Sequence, residues 1–294
     1  MCGVLQKVRI LIITVMRKLT IGIPTYNDYD GLYFSIQAIR MYHPEVLDNI
    51  EFIIIDNNPD SDHGKSNRNL TNWIKEPYQY LPFTKYNAST VKNKVFSLSD
   101  TPYTLCMDSH VMIVPGALKK LIHLYDCGGD DGNLLQGPLV YDDFHHYSTH
   151  FDDTWSSHMW GTWQTDERGK ESDASPFEIP AQGMGLFSCR TDSWLGFNKA
   201  FRGFGGEEKY IHEKYRQHDK KTLCLPFLRW LHRFERPAGI PYKNDLKDRF
   251  RNYMIGHHEL GQDTKVLKEQ FKGVISVEDM NKIEVEATVL SNIS

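Results

Sequence analysis

The sequence predicts an α/β protein built on a mainly parallel sheet, and three observations support that class. Continuous apolar runs recur at Leu19–Pro24, Ile50–Ile55 and Leu105–Met107, as in strands buried on both faces of a parallel sheet. Between them lie stretches whose apolar residues recur at helical intervals. Each run also ends in a polar or acidic cluster, and the carboxyl ends of strands are where open α/β sheets bind ligands.

In chain order, Leu19–Pro24 is the first strand, 25–31 the loop after it, and 32–42 a helix that stops before Pro44. Ile50–Ile55 is the second strand, followed at once by the polar loop from Asp56 to Asp60. An aromatic strand is expected near Leu81 to Tyr86, then a helix over 88–98 and the strand that ends at Met107. This alternation is that of a doubly wound sheet. A helix follows at Pro115, a residue suited to the first helical turn, and then a strand over Gly132–Val140. Residues 141–168 interleave His145, His146, His150 and His158 with Trp155, Trp160 and Trp163 and several aspartates. They read as a long lid or binding loop whose aromatic faces stack on sugar or base rings. The four histidines lack a metal-binding helical spacing. Past the exposed stretch 170–175 the chain returns to a strand through the glycine-rich segment 179–188. Gly205-Gly206-Glu207-Glu208 then opens a helix that runs to Gln217. A mobile loop at 237–242 and a helix at 266–271 come next, and 274–294 reads as a charged tail.

With 294 residues, 40% hydrophobic and 24% charged, the chain has ample material for one large core and is not disordered. Its net charge of −4 argues against a protein that coats nucleic acid. The charge is uneven: Lys209–Arg251 carries 12 Lys/Arg against 5 Asp/Glu, a basic segment that suits a phosphate-bearing ligand. Five scattered cysteines without a C-x-x-C pair favour a reducing, cytoplasmic setting. The apolar run Val8–Met16 is too short to span a bilayer, so no stable membrane insertion is expected. Residues 1–15 read as a dispensable extension, as from a mis-assigned start.

Two short segments carry the chemistry. Alternation along a strand sets Asp108 and His110 on one side, where a carboxylate oxygen and an imidazole nitrogen converge on one cation. At the Gly-Gly-Glu-Glu turn the helix N-terminus favours negative charge. Glu207 and Glu208 are thus expected to be held ionised at a cleft edge, where one orients or deprotonates an acceptor hydroxyl.

Ile23-Pro24-Thr25-Tyr26-Asn27-Asp28, Ile55-Asp56-Asn57-Asn58 and Asp108-Ser109-His110, in that order and spacing, resemble the nucleotide-sugar half of a GT-A glycosyltransferase of the family 2 type. The resemblance implies a Rossmann-like GT-A domain with helices on both faces of the sheet. It also implies that Pro24, Thr25, Tyr26 and Asp56 hold the uracil and ribose of a UDP-sugar, and that Asp108 holds a divalent ion on the diphosphate. Gly183–Ser188 through Gly205-Gly206-Glu207 is similar to the carboxy-terminal catalytic segment of polypeptide N-acetylgalactosaminyltransferases and β-1,4-galactosyltransferases. Those families place a third ligand, a His, one helix and one strand further on, and His232 stands there. Asp108, His110 and His232 then suit Mn²⁺ better than Mg²⁺, and Arg233, with Arg229, Arg236 and Lys243 nearby, is expected to neutralise the diphosphate. The galactosyltransferase pattern would make Glu208 the base for inversion; the other pattern matches only Glu207 and serves retention. Both residues are Glu here, and Phe204 stands where those families have Trp.

The expected organisation is an extension over 1–15, one GT-A domain over 16–262 and a tail over 263–294. Within the domain, 16–140 binds the donor and 141–262 the acceptor. The expected activity moves a sugar from a UDP-sugar to a hydroxyl of a saccharide or polypeptide. The alternatives are sugar transfer to a modified DNA base or another polymer, a nucleotide-sugar-binding module without catalysis, and a metal-dependent nucleotidyltransferase, which would want two carboxylates rather than Asp and His.

Overall fold

A computed structural model describes residues 16–85, 89–236 and 239–292. The expected extension 1–15, the strand end at Tyr86, the helix start at Ala88 and Pro237 of the expected mobile loop lie outside these residues.

The first half follows the sequence pattern closely. Strand β1 (Leu19–Thr25) leads through Asp28, whose side chain caps helix α1 (Tyr29–Tyr42) by accepting from the Gly31 N–H. Strand β2 (Ile50–Asp56), helix α2 (Asp62–Leu70), strand β3 (Tyr78–Pro82), helix α3 (Lys92–Leu98) and strand β4 (Tyr103–Met107) continue the alternation. Helix α2 escapes the sequence reading because its only large apolar residue is Leu70; its signal is the cap, Ser61 Oγ accepting from Gly64 N–H at 3.0 Å. The chain then crosses to a second sheet in strand β5 (Val111–Ile113) and enters helix α4 (Ala117–Asp126). Pro115 lies in the turn before α4 rather than in its first turn, and the left-handed Gly116 is the cap.

The expected strand 132–140 is two strands, β6 (Leu134–Gln136) and β7 (Leu139–Val140), because Gly137-Pro138 breaks it and each part joins a different sheet. The expected lid over 141–168 is a β-hairpin. Strand β8 (Tyr147–Ser148) precedes strands β9 (His150–Ser156) and β10 (Met159–Gln164), which turn at Ser157-His158 with both residues at positive φ. Its aromatic residues pack inward: Phe151 and Trp160 are buried in the core, and the Trp155 ring lies 4.9 Å from that of Tyr253.

Strands β11 (Phe177–Glu178) and β12 (Leu186–Arg190), helix α5 (Glu207–Gln217), and strands β13 (Thr222–Cys224) and β14 (Trp230–His232) complete the sheets. Helix α6 (Leu246–Glu259) was hidden by its composition: Arg249, Arg251, Asn252 and His257 are buried along with Phe250, Tyr253, Met254 and Ile255, so no apolar stripe marks it. Helix α7 (Lys265–Gln270) matches the helix expected over 266–271, whereas helix α8 (Val277–Leu290) stands where a charged tail was expected, and its Met280, Ile283 and Ala287 join the core.

The main sheet has the order β11-β13-β6-β12-β4-β1-β2-β3. The β4-β1-β2-β3 block is parallel, whereas β12 runs antiparallel to both β4 and β6, so the sheet is mixed and mainly parallel. Alternation sends Ile21, Ile23, Phe52, Ile54, Leu105 and Met107 to a core under α1 and α4. It sends Ile53, Ile55 and Cys106 to another, shared with α3, α5, α6 and α8. Helices therefore cover both faces, as expected. The small sheet β5-β14-β7-β8 sits beyond the carboxyl end of β4, with β14 antiparallel to β5 in the register His232↔Val111.

Candidate functional site

Asp108, Ser109 and His110 form the turn between β4 and β5, so strand alternation is not what unites Asp108 with His110. The turn is fixed from both sides. Asp108 N–H donates to the Gly185 carbonyl at 2.8 Å. From α1, Ser35 Oγ lies 3.0 Å and 2.7 Å from the carbonyls of Ser109 and Val111 and accepts from the Val111 N–H at 3.1 Å. Gly185 lets the strand approach closely there: a Cβ would stand 3.0 Å from the Trp230 ring and 3.4 Å from Asp108 Oδ2, so the ring would have to shift to admit it.

The register of β14 on β5 then brings His232 across, with its Nε2 3.1 Å from Nε2 of His110 and 3.6 Å from Asp108 Oδ2. One ligand atom from each of the three residues lies within 4.8 Å of the others, and among the described residues this is the single such cluster. Two nitrogens bound at right angles to one ion, at about 2.1–2.2 Å each, stand about 3.0–3.1 Å apart, so the His pair has the spacing of neighbouring ligands. The mixed imidazole–carboxylate set fits a transition-metal dication such as Mn²⁺ better than Mg²⁺.

The group that orients His110 is one the sequence reading missed. Asp28 Oδ2 sits 2.7 Å from His110 Nδ1 and accepts from Ser109 Oγ at 2.8 Å, while Oδ1 accepts from Arg233 at 2.9 Å. The carboxylate takes the Nδ1 proton bond and leaves Nε2 with its lone pair, the tautomer a metal ligand needs. Burial alone would raise the Asp28 pKa, but the hydrogen bonds from His110 and Ser109 and the charge of Arg236 outweigh it and hold the group well below the usual carboxylate range. Burial lowers the His110 pKa, against the pull of Asp28 and Asp108, and keeps the ring neutral. Asp28 closes the Ile23–Asp28 segment singled out from sequence, but its role toward His110 emerges only from the tertiary contact.

Lys92 is the second missed residue. Buried at the start of α3, its Nζ reaches Asp108 Oδ1 at 2.9 Å and the Met184 carbonyl at 2.6 Å. Burial opposes charge on both partners, yet the pairing wins: Asp108 is held ionised, well below the carboxylate range, and Lys92 stays protonated. A lysine in a short polar helix gives no hint of this from sequence.

Gly205 and Gly206 take φ of 97° and 99° and aim the first turn of α5 inward. Glu207 and Glu208 are both buried, and Glu207 accepts from Ser89 Oγ at 2.5 Å. Glu208 is not held ionised as expected: burial, and then the neighbouring Glu207 carboxylate, push its pKa from the ordinary 4.5 up to about 8. Desolvation outweighs the helix terminus here.

On the nucleoside side, β1 and β2 end side by side with Thr25 opposite Asp56. Pro24 and Tyr26 are partly exposed, and Thr25 is buried with its hydroxyl unpartnered. Asp56 is fully buried and accepts from Asn67, the Tyr80 hydroxyl and the Asn58 N–H at 3.0, 2.7 and 3.0 Å, so its carboxylate organises the loop after β2. Arg233 leaves β14 beside the His pair, whereas Arg229 turns away to the carbonyls of Gly169 and Lys170. Tyr253 and His257 are internal to the α6 packing: the Tyr253 hydroxyl accepts from the Trp160 N–H, and the His257 ring bonds the Asp263 carbonyl. Among the described residues no helix is long and apolar enough to cross a membrane.

Comparison with known proteins agrees with this architecture. GalNAc-T7 solved with UDP, GalNAc and Mn²⁺ superposes with a TM-score of 0.66 at 13% identity, over 92% of this chain and 54% of that one. This chain thus spans about half the length of that structure. S. aureus TarS 1–349 gives 0.52 at 11% identity over 92% and 70% of the two chains. The same protein in complex with UDP-GlcNAc gives 0.54 at 12% over 92% and 79%. At these identities the likeness shows the fold alone, which is GT-A. No curated protein matches in sequence. The sequence model of glycosyl transferase family 2 matches residues 20–190, from inside β1 to the last residue of β12 and more than half of the chain, and the chain belongs to that family of glycosyltransferases.

Proposed function

We propose that this glycosyltransferase is metal-dependent and moves a sugar from a UDP-sugar to an acceptor hydroxyl on a saccharide or polypeptide. The observation that carries the reading is the convergence of Asp108, His110 and His232, with Lys92 buried against Asp108 and under the charge of Glu207 as well. That GalNAc-T7 was solved with UDP and Mn²⁺, and TarS with UDP-GlcNAc, supports a UDP-sugar donor.

Asp108, His110 and His232 would hold Mn²⁺, with Mg²⁺ as the weaker choice. A divalent ion there supplies Lewis acidity toward a diphosphate leaving group. Pro24, Thr25 and Tyr26 border the uridine, and Asp56 shapes that pocket through the loop it organises. Lys92 keeps Asp108 ionised, Asp28 keeps the His110 Nε2 lone pair available, and Arg233 offers a guanidinium to the diphosphate. Glu207, fixed by Ser89, orients the acceptor. Glu208, with a pKa near working pH, is suited to trading a proton with the acceptor hydroxyl. In this reading 16–140 is the donor half and 141–262 the acceptor half.

The test is release of UDP from a panel of nucleotide sugars with Mn²⁺, Mg²⁺ or EDTA, for wild type and His232→Ala. Release from one donor that needs Mn²⁺ and is lost in the variant is expected. The absence of both turnover and metal-dependent UDP binding with every donor would overturn the reading.

A further inference from the structure

The amino ends of β1, β2 and β3 form a pole opposite the site, about 20 Å, one strand length, from the carboxyl ends that carry Thr25 and Asp56. Four large apolar side chains stand in the open there. Met16 leads into β1 and is 81% exposed, Met41 and Tyr42 close α1 at 68% and 48%, and Trp73 precedes β3 at 72%. Topology gathers them: the strands are parallel, so the chain must return after α1 and after α2 to the level where the next strand begins. Two contacts tie these returns together. Arg40, in the last turn of α1, pairs with Glu76 just before β3 at 3.2 Å, and the Lys18 N–H donates to the Asn49 carbonyl just before β2 at 2.8 Å. Single apolar residues on a surface are ordinary, whereas several at one pole mark a contact surface.

The sequence that leads into this pole has matching chemistry. Val8–Met16 holds seven apolar residues in nine, Lys7, Arg9, Arg17 and Lys18 flank or interrupt it, and no Asp or Glu occurs before Asp28. The rim of the pole carries acids as well, with Glu45 and Asp48 exposed before β2 and Lys18 paired to Asp126 at 2.6 Å. The excess of positive charge therefore belongs to the segment ahead of β1.

We propose that this pole docks on an anionic lipid surface, with Met16, Met41, Tyr42 and Trp73 entering the headgroup region beside the Val8–Val15 run. Trp and Tyr are at home at that depth, where one part of the ring is apolar and the other wet. Nine residues are too few to span a bilayer, so the run lies in the interface rather than across it. Charge separates lipid from a second copy of the chain. A two-fold pair through this pole would bring two basic segments together, whereas anionic headgroups neutralise them. Docked in this way, the carboxyl ends of the strands face away from the lipid and the site stays open to water. The proposal is independent of the cation reading, and it gives residues 1–15 a task where a dispensable extension was expected.

The experiment is co-sedimentation of the full chain with sucrose-loaded vesicles of phosphatidylcholine, alone or with about one third phosphatidylglycerol. The proteins are wild type, Trp73→Glu, Met41→Glu, the double variant Ile12→Glu/Ile13→Glu, and Phe144→Glu as a control. Phe144 is as exposed as Trp73, at 74%, but lies between β7 and β8, away from the pole. Wild type should bind the mixed vesicles, and phosphatidylcholine alone more weakly. Trp73→Glu, Met41→Glu and the double variant should each weaken binding about tenfold or more, the effect of one large apolar side chain kept out of the apolar phase. Phe144→Glu should bind as wild type does. All the single substitutions are at exposed positions, and unchanged melting temperatures confirm that they fold. No binding to either vesicle overturns the proposal, as does an equal loss in Phe144→Glu. Binding lost in the double variant but kept in both Trp73→Glu and Met41→Glu also overturns it, by leaving the pole without a part. A dimer in sedimentation velocity that Trp73→Glu splits, with no vesicle binding, would show that a second copy covers the pole instead.

Discussion

Replacing Glu208 by Gln isolates one strongly displaced ionisation at the site. Its carboxyl is buried beside Glu207, with Lys92 and Arg249 contributing opposite charge, and the balance lifts its pKa from 4.5 to about 8. Between these values an unfolded chain has released the proton and the folded chain keeps it. The folded state thus binds more protons in that window, and stability falls as pH rises through it. At about 1.4 kcal/mol per pH unit the full window corresponds to roughly 5 kcal/mol, a large share of the 5–15 kcal/mol typical of a domain. Glu208→Gln keeps the shape and removes the titration. Urea melts of both proteins at steps between about pH 5 and 9 measure the difference. Wild type should lose several kcal/mol relative to the variant as pH rises, with most of the divergence complete by about pH 8. Acid unfolding at low pH, where Asp28 and Asp108 are protonated, should be common to both. Parallel stability curves from pH 5 to 9 would refute the argument that burial and Glu207 hold the Glu208 proton.

Two further outcomes follow from the geometry. Asp28→Asn retains a helix-capping oxygen but loses the carboxylate that fixes the His110 tautomer, so Mn²⁺ affinity by titration calorimetry should fall about 10–100-fold and the melting temperature should drop as the buried pairing with Arg233 is lost; unaltered affinity would remove Asp28 from the site. Trp155→Ala, which deletes the ring packed on Tyr253 and Phe271, should cost about 2–3 kcal/mol of stability and leave UDP release per folded molecule unchanged, whereas lost release at full stability would return the hairpin to the role of a lid.

Strands β1, β2 and β4 were legible as apolar runs, whereas the edge strand β3, YQYLP and largely exposed, lies at Tyr78–Pro82 instead of the expected 81–86, and the mixed right-hand side was less legible because Gly137-Pro138 divides one run between two sheets. Helix α6 buries Arg249, Arg251, Asn252 and His257, and an apolar stripe is the signal that such burial erases. The aromatic stretch 141–168 misled for the opposite reason: Trp residues suit a ligand and a core equally, and only the hairpin turn at Ser157-His158 directs them inward. At the site, Asp108, His110, His232 and the two glutamates stood out by spacing and resemblance. Asp28 and Lys92 did not, since their partners lie 82 and 16 residues away along the chain and only tertiary contact reveals them. The protonated Glu208 was unreadable for the same reason: a helix start implies a favoured negative charge, and only the burial around it reverses that.

His110 precedes β5 and His232 ends β14, two strands paired antiparallel in one small sheet. Side chains alternate faces along a strand, so sliding β14 by a single residue would turn His232 away from His110 while leaving nearly every backbone hydrogen bond replaceable. A chain trapped in that neighbouring alignment would be close to native in compactness and secondary structure, yet would hold only a fragment of the cation cluster. If the proposed cation binds, it would reward the native alignment of the small sheet over its one-residue neighbour, because only that alignment presents Asp108, His110 and His232 together.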